Sequence, residues 1–234
     1  MKKQSLILLH GWSLNPNYFT IVKSLLQKRY ILFTPIMPGF GFVPVSSPYN
    51  LDRYSDWLNK YIKINKINNP ILLGHSFGGS VCLNYLSKYP NKKTKLILVN
   101  AAIIRNKFSL KRKLYYSFTH LLKPIFDFLK IKTYLLKAIG LKNSDYQNIS
   151  NPIMKLTFNQ IIFSDLSNVA KKITNKTLII WGENDNTTPL TQGKKINQLI
   201  QSSTLKIIPD TGHFPFIDDP IEFVNHLNNF VQQK

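Results

Sequence analysis

The stretch Pro70-Ile71-Leu72-Leu73-Gly74-His75-Ser76-Phe77-Gly78-Gly79-Ser80-Val81-Cys82-Leu83 decides the fold. Its short, continuous apolar run at 70–73 reads as a strand buried on both faces. Gly-x-Ser-x-Gly then turns the chain, and apolar residues at helical spacing follow over 77–89. A side chain at Gly74 or Gly78 would crowd so sharp a junction, which is the physical reason for glycine there. The turn lifts the Ser76 hydroxyl above the edge of the sheet. The helix start behind it aims free backbone N–H groups and a positive dipole end at any negative charge that develops nearby. Ser76 is thereby a candidate nucleophile, although Gly-x-Ser-x-Gly is a weak signal by itself and a glycine-rich turn with an incidental serine is the alternative.

Working outward, five more apolar runs bounded by turn formers predict strands at 5–9, 31–35, 96–100, 177–181 and 203–208. Helical spacing predicts helices over 17–28, 51–64, 190–201 and 220–232. Strands alternating with helices imply an α/β fold, a mostly parallel sheet of about six visible strands with helices on both faces. The alternation stops after Ala101 and resumes at Lys176. The segment between is too long for a simple connection and rich in apolar and aromatic residues, Tyr115, Tyr116, Phe118, Leu121 and Leu122 among them. It reads as a helical cap, 102–175, inserted into a core made of 1–101 and 176–234.

A serine hydroxyl needs a positioned base. Of five histidines, only His213, in Pro209-Asp210-Thr211-Gly212-His213-Phe214, falls in a loop after a late strand, where open α/β sheets place their sites. The base needs an acid to hold its tautomer. Trp181-Gly182-Glu183-Asn184-Asp185 follows the fifth strand and offers Asp185, with Glu183 close behind. Asp210 lies too near His213 in sequence, and Asp165 is expected to cap a helix starting at Leu166. His10-Gly11-Trp12 follows the first strand, so the Trp12 N–H would pair with that of Phe77 as an oxyanion hole.

The totals restrict the alternatives. A chain of 234 residues with 44% hydrophobic and 12% aromatic residues suits one domain with a substantial core. Cys82 is the single cysteine, which excludes an internal disulfide or a cysteine metal cluster. No metal or organic cofactor is implied. Met1-Lys2-Lys3 before Leu6-Ile7-Leu8-Leu9 resembles the start of a signal peptide, but His10-Gly11-Trp12 interrupts the apolar run. No stretch approaches the roughly 18 apolar residues of a membrane span, and the expected location is the cytoplasm. The net charge of +20 is the oddest feature. It fits either a solvated basic surface or attraction to acidic partners.

Taken together, Leu8-Leu9-His10-Gly11-Trp12, Pro38-Gly39-Phe40-Gly41, Gly74-His75-Ser76-Phe77-Gly78-Gly79, the loop 181–185 and Gly212-His213 resemble the signatures of the α/β-hydrolase superfamily, over nearly the whole chain except the cap. Within it, His10-Gly11-Trp12-Ser13-Leu14-Asn15 and His213-Phe214-Pro215-Phe216-Ile217 are most similar to the pimeloyl-acyl-carrier-protein methyl ester carboxylesterases of biotin synthesis. The resemblance implies a serine esterase with the triad Ser76, Asp185 and His213, in the chain order of that fold. Two positions depart from it. Ile36 and Val43 stand where many relatives have an aspartate and a serine, and the family's usual N-terminal hairpin strands are expected to be missing or much reduced.

Between Arg105 and Lys142 lie ten basic residues, including Lys111, Arg112 and Lys113, against the single acid Asp127. A basic cap beside the site would steer an acidic acyl-carrier protein, or lie on an anionic membrane surface. Nucleic acid is disfavoured, since charge is present without a recognisable binding motif. Rival readings are a lysophospholipase or other lipid esterase, a C–C bond hydrolase, and an inactive hydrolase fold kept as a binding module.

Overall fold

The computed structural model describes residues 3–105 and 149–233. Its strands are β1 Gln4–Leu9, β2 Tyr30–Phe33, β3 Ile71–His75, β4 Lys95–Val99, β5 Thr177–Gly182 and β6 Ser203–Ile208. They form one sheet in the order β2-β1-β3-β4-β5-β6, with every neighbouring pair parallel. Side chains alternate across a strand, so a strand covered on both faces must be apolar throughout. In β1, Ile7 and Leu9 join one core while Leu6 and Leu8 join the other.

Helices α1 Thr20–Leu26, α2 Leu51–Ile64, α3 Phe77–Lys88, α4 Pro152–Ile162, α5 Ser167–Ala170, α6 Leu190–Leu199, α7 Pro215–Asp218 and α8 Pro220–Gln232 cover those faces. Val22 and Leu26 of α1, Phe216 of α7 and Phe223 and Leu227 of α8 line one core. Tyr54 and Leu58 of α2, Val81 of α3, Met154 of α4 and Ile196 of α6 line the other. Asn50 starts α2 by accepting from the Arg53 N–H at 2.9 Å, which satisfies one of the donors a helix start leaves free.

The elements follow the sequence pattern with local differences. The second strand stops at Phe33 instead of 35, where Pro35 has no N–H to offer a ladder. The helix expected over 17–28 divides into a 3₁₀ turn, Pro16–Phe19, and α1. The third strand runs to His75, because Gly74 pairs with Leu9 on one side and Leu98 on the other. Asp165 accepts from the Ser167 N–H at 2.9 Å, and the helix beside it begins at Ser167 instead of Leu166. All ladders between the described strands are parallel. No helix among the described residues is long and apolar enough to cross a membrane.

Residues 106–148, the middle of the expected cap, lie outside the described residues, as do Lys111, Arg112 and Lys113. The described ends of that segment rest on the core through Ile103, Ile104, Met154 and Ile161. The chain leaves β1 for β2 on one side and returns to β3 on the other. In open α/β sheets ligands bind at such a reversal, beyond the carboxyl ends of the strands, which here are those of β1 and β3.

Candidate active site

Ser76 occupies the junction of β3 and α3 with φ 50° and ψ −114°, a conformation L-residues rarely adopt. Although it heads the helix, its hydroxyl makes no capping bond. Close packing imposes the turn: a Cβ on Gly74 would fall on the Gly78 carbonyl, and one on Gly78 would strike the Leu9 and His10 carbonyls. The Ser76 backbone is pinned from β4 by its N–H bond to the Val99 carbonyl at 2.9 Å. Its carbonyl accepts from the N–H groups of Gly79 and Ala102, at 3.1 and 3.0 Å.

His213 and Asp185 meet across the ends of β6 and β5, with Nδ1 2.8 Å from Oδ2. Asp185 is 4% exposed, whereas Glu183 and Asp210 are exposed. Asp185 Oδ1 accepts from the N–H groups of Thr187 and Thr188, at 2.7 and 2.9 Å. Its Oδ2 accepts from the Thr188 hydroxyl at 2.7 Å and from the Asn100 amide as well as facing His213. Burial pushes this carboxyl upward, but donors from His213, Asn100 and Thr188 outweigh it and hold the group below the usual carboxylate range. The His213 loop is secured by the Gly212 N–H bond to Asp218, at 2.8 Å. A Cβ on Gly182 would collide with the Gly212 carbonyl, so glycine there lets the two loops close.

Asn100, Thr188 and Asp218 were not singled out by sequence reasoning. A polar residue ending the apolar run Leu96-Ile97-Leu98-Val99, at a sheet edge where sites form, was the available signal for Asn100. A threonine three residues after Asp185 in a turn, Thr188, is the signal for a hydroxyl donor.

Two buried histidines brace this arrangement. His10 Nε2 accepts from the Met37 N–H at 3.1 Å, so its proton resides on Nδ1, 2.8 Å from the Gly11 carbonyl. That clamp fastens the loop 36–43 to the end of β1. The loop closes on itself through Gly39 N–H to Val43 carbonyl and Val43 N–H to Phe40 carbonyl bonds, at 2.9 and 3.0 Å. Ile36 and Val43 therefore do not deprive it of a backbone frame. His75, next to the serine, has Nε2 2.8 Å from the His213 carbonyl. A carbonyl only accepts, so Nε2 carries the proton, and the buried Nδ1 has no partner among the described residues.

Burial lowers both pKa values, with His75 pushed down to about 3 by burial and by the His213 charge. Both are depressed relative to an unfolded histidine near 6.5. Below that pH the unfolded chain binds protons that the folded chain refuses, so stability present above it is lost as pH falls. Denaturant melts between pH 7 and 4.5 are expected to lose up to about 1.4 kcal/mol per pH unit through His75, with His10 adding in the same direction. His75→Gln, which keeps a donor toward the His213 carbonyl, should flatten the slope; an unchanged slope would remove His75 as its cause.

Gly11 lies against the elbow, since a Cβ there would sit 3.1 Å from His75 Nδ1 and 3.3 Å from the Ser76 Cβ. The Trp12 and Phe77 backbone N–H groups have no hydrogen-bond partner among the described residues. Their side chains form an aromatic wall. The Trp12 ring packs edge-on against Phe40, Phe77 and Phe158, with centroids 5.0, 5.4 and 5.1 Å apart. Arg105, expected to meet an acidic partner, is half-buried, and its backbone N–H donates to Asp165 at 3.0 Å.

A strained serine at a strand–helix junction, with a histidine–carboxylate pair at neighbouring strand ends, defines the architecture of a hydrolase. The family profile described as the alpha/beta hydrolase fold matches residues 4–220, and the chain belongs to that family. Among its relatives is the pimeloyl-[acyl-carrier protein] methyl ester esterase of Wigglesworthia glossinidia brevipalpis, 24% identical over 98% of this chain and 94% of that protein. The 2-hydroxy-6-oxo-2,4-heptadienoate hydrolase of Pseudomonas putida is 23% identical over 96% of this chain and 88% of that one. Among solved structures, an esterase from Exiguobacterium antarcticum superposes with a TM-score of 0.77 at 25% identity, covering 99% of this chain and 93% of that one.

Proposed function

We propose that the protein is a serine carboxylesterase that works through an acyl-enzyme on Ser76. The observation that carries this reading is the buried, fully hydrogen-bonded Asp185 holding His213 Nδ1, on a loop tied through His75 to the strained serine elbow. Ser76 attacks the ester carbonyl while His213 takes its proton. The Trp12 and Phe77 N–H groups hold the oxyanion, and one such donor contributes about 3 kcal/mol to the transition state. His213 then returns the proton to the leaving alcohol, and water repeats the sequence on the acyl-enzyme. Asp185 keeps the imidazole in the required tautomer throughout. None of these steps calls on a cofactor.

The substrate we propose is a methyl ester of an acyl chain borne on an acidic carrier protein. Similarity to the Wigglesworthia esterase supports it, as does the basic run from Arg105 to Lys142. The Pseudomonas relative supports a second reading, in which the same residues cleave a C–C bond.

A fluorophosphonate probe is expected to label the wild-type protein. A panel of carrier-bound pimeloyl methyl ester, a lysophospholipid, an aryl ester and a vinylogous diketone acid then ranks the substrates. The carrier-bound ester should lead at low salt and lose its advantage near 1 M, where charges are screened beyond about 3 Å. Folded protein that resists the probe would turn the reading toward a binding module, and a salt-independent ranking would remove carrier steering.

A further inference from the structure

Asn100 is completely buried, at the end of β4 and between the strand ends that carry Ser76 and Asp185. Its backbone continues the ladder, the N–H reaching the Ile180 carbonyl at 3.1 Å, and then turns at φ 43°, a left-handed conformation asparagine tolerates better than most residues. The side chain uses both ends. Oδ1 accepts from the Gly182 N–H at 3.3 Å, while Nδ2 donates to Asp185 Oδ2 and lies 3.4 Å from the Gly212 carbonyl. Its own carbonyl lies 3.1 Å from the Thr188 hydroxyl. One residue thus touches the acid, the turn that carries the acid, and the loop that carries His213.

We propose that Asn100 is a positioning residue of this site, its carboxamide locking the Asp185 oxygen that faces His213 in the orientation the imidazole requires. This rests on the reading of Asp185 and His213 as a working pair. Backbone N–H groups fix Oδ1, but among the described residues Oδ2 is held only by His213 itself, by the Asn100 amide and by the Thr188 hydroxyl. That hydroxyl has one proton and two acceptors within reach, Asp185 Oδ2 and the Asn100 carbonyl. The amide is the donor without another strong acceptor, since Gly212 lies at 3.4 Å. An amide also supplies the acceptor that the Gly182 N–H needs, which neither an ammonium nor an aliphatic side chain does.

The test uses full-length protein, with fluorophosphonate labelling and aryl-ester kinetics. Asn100→Gly removes the amide without straining a left-handed backbone. Its kcat should fall about 10- to 100-fold, the loss expected of a hydrogen bond to a charged group. KM should stay within about twofold, because Asn100 is buried away from substrate. A purely structural residue would instead lower the melting temperature and leave kcat per folded molecule intact. The second variant exchanges the groups: Asp185→Asn with Asn100→Asp restores one amide and one carboxylate in contact beside His213. It should recover at least about tenfold of the activity lost in Asp185→Asn alone.

Wild-type kcat in folded Asn100→Gly overturns the proposal, as does a folded exchange variant no faster than Asp185→Asn. If the exchange variant does not fold, Asn100→Gly decides alone. Wild-type turnover by Asp185→Asn would unseat the Asp185–His213 pair itself, a different failure.

Discussion

Ser76→Ala is expected to lower kcat for ester turnover by about 10⁶-fold, the loss typical of removing a triad nucleophile, and to abolish fluorophosphonate labelling. The fold should survive, because the hydroxyl makes no capping bond and the turn is imposed by backbone packing around Gly74 and Gly78. Alanine inherits the same strain at φ 50° that serine bears. Glycine relieves it, so Ser76→Gly should be equally inactive yet more stable than Ser76→Ala by about 1–3 kcal/mol. Thermal melts of the two variants read this directly. Turnover by Ser76→Ala within tenfold of wild type would refute the serine as nucleophile. Equal melting of Ser76→Ala and Ser76→Gly would show that the elbow stores no strain.

Asp185→Asn should reduce kcat by about 10⁴-fold, and the reason lies in the donors around it. Thr187 N–H and Thr188 N–H point at Oδ1, and His213, Asn100 and the Thr188 hydroxyl surround Oδ2. An amide has only one oxygen for these two groups of donors. Turned one way, its NH₂ confronts the backbone N–H groups; turned the other, it confronts Asn100 and forces His213 to carry its proton on Nε2. A histidine protonated there cannot take the serine's proton. The variant should also lose about 1–3 kcal/mol of stability from unpaired buried donors. Steady-state kinetics and the rate of probe labelling are expected to fall together. Labelling at the wild-type rate would mean that Asp185 neither orients nor polarises the histidine.

The difference between Glu183 and Asp185 shows where local reading ends. Both carboxylates follow the fifth strand, and spacing alone ranks them poorly. Burial separates them: Glu183 faces solvent, and Asp185 turns inward onto His213. His10 and His75 stood out only as members of motifs. Their work, clamping Met37 and the His213 carbonyl, joins segments 27 and 138 residues apart. Asn100 reads from the chain merely as the last residue of a strand.

What depends on near neighbours along the chain is legible in the amino-acid order. Apolar runs bounded by turn formers specify the strands, and helical spacing specifies the covering helices. Gly74 and Gly78 specify a turn too tight for a side chain, so the elbow is legible in a single stretch. How the strand ends are joined above the sheet emerges from the folded chain alone. Hydrogen bonds there satisfy buried polar groups from distant segments, and which donor faces which acceptor depends on the sheet order, on the approach allowed at Gly182 and on the burial of Asp185. Those are properties of several strands brought together, and no local pattern encodes them.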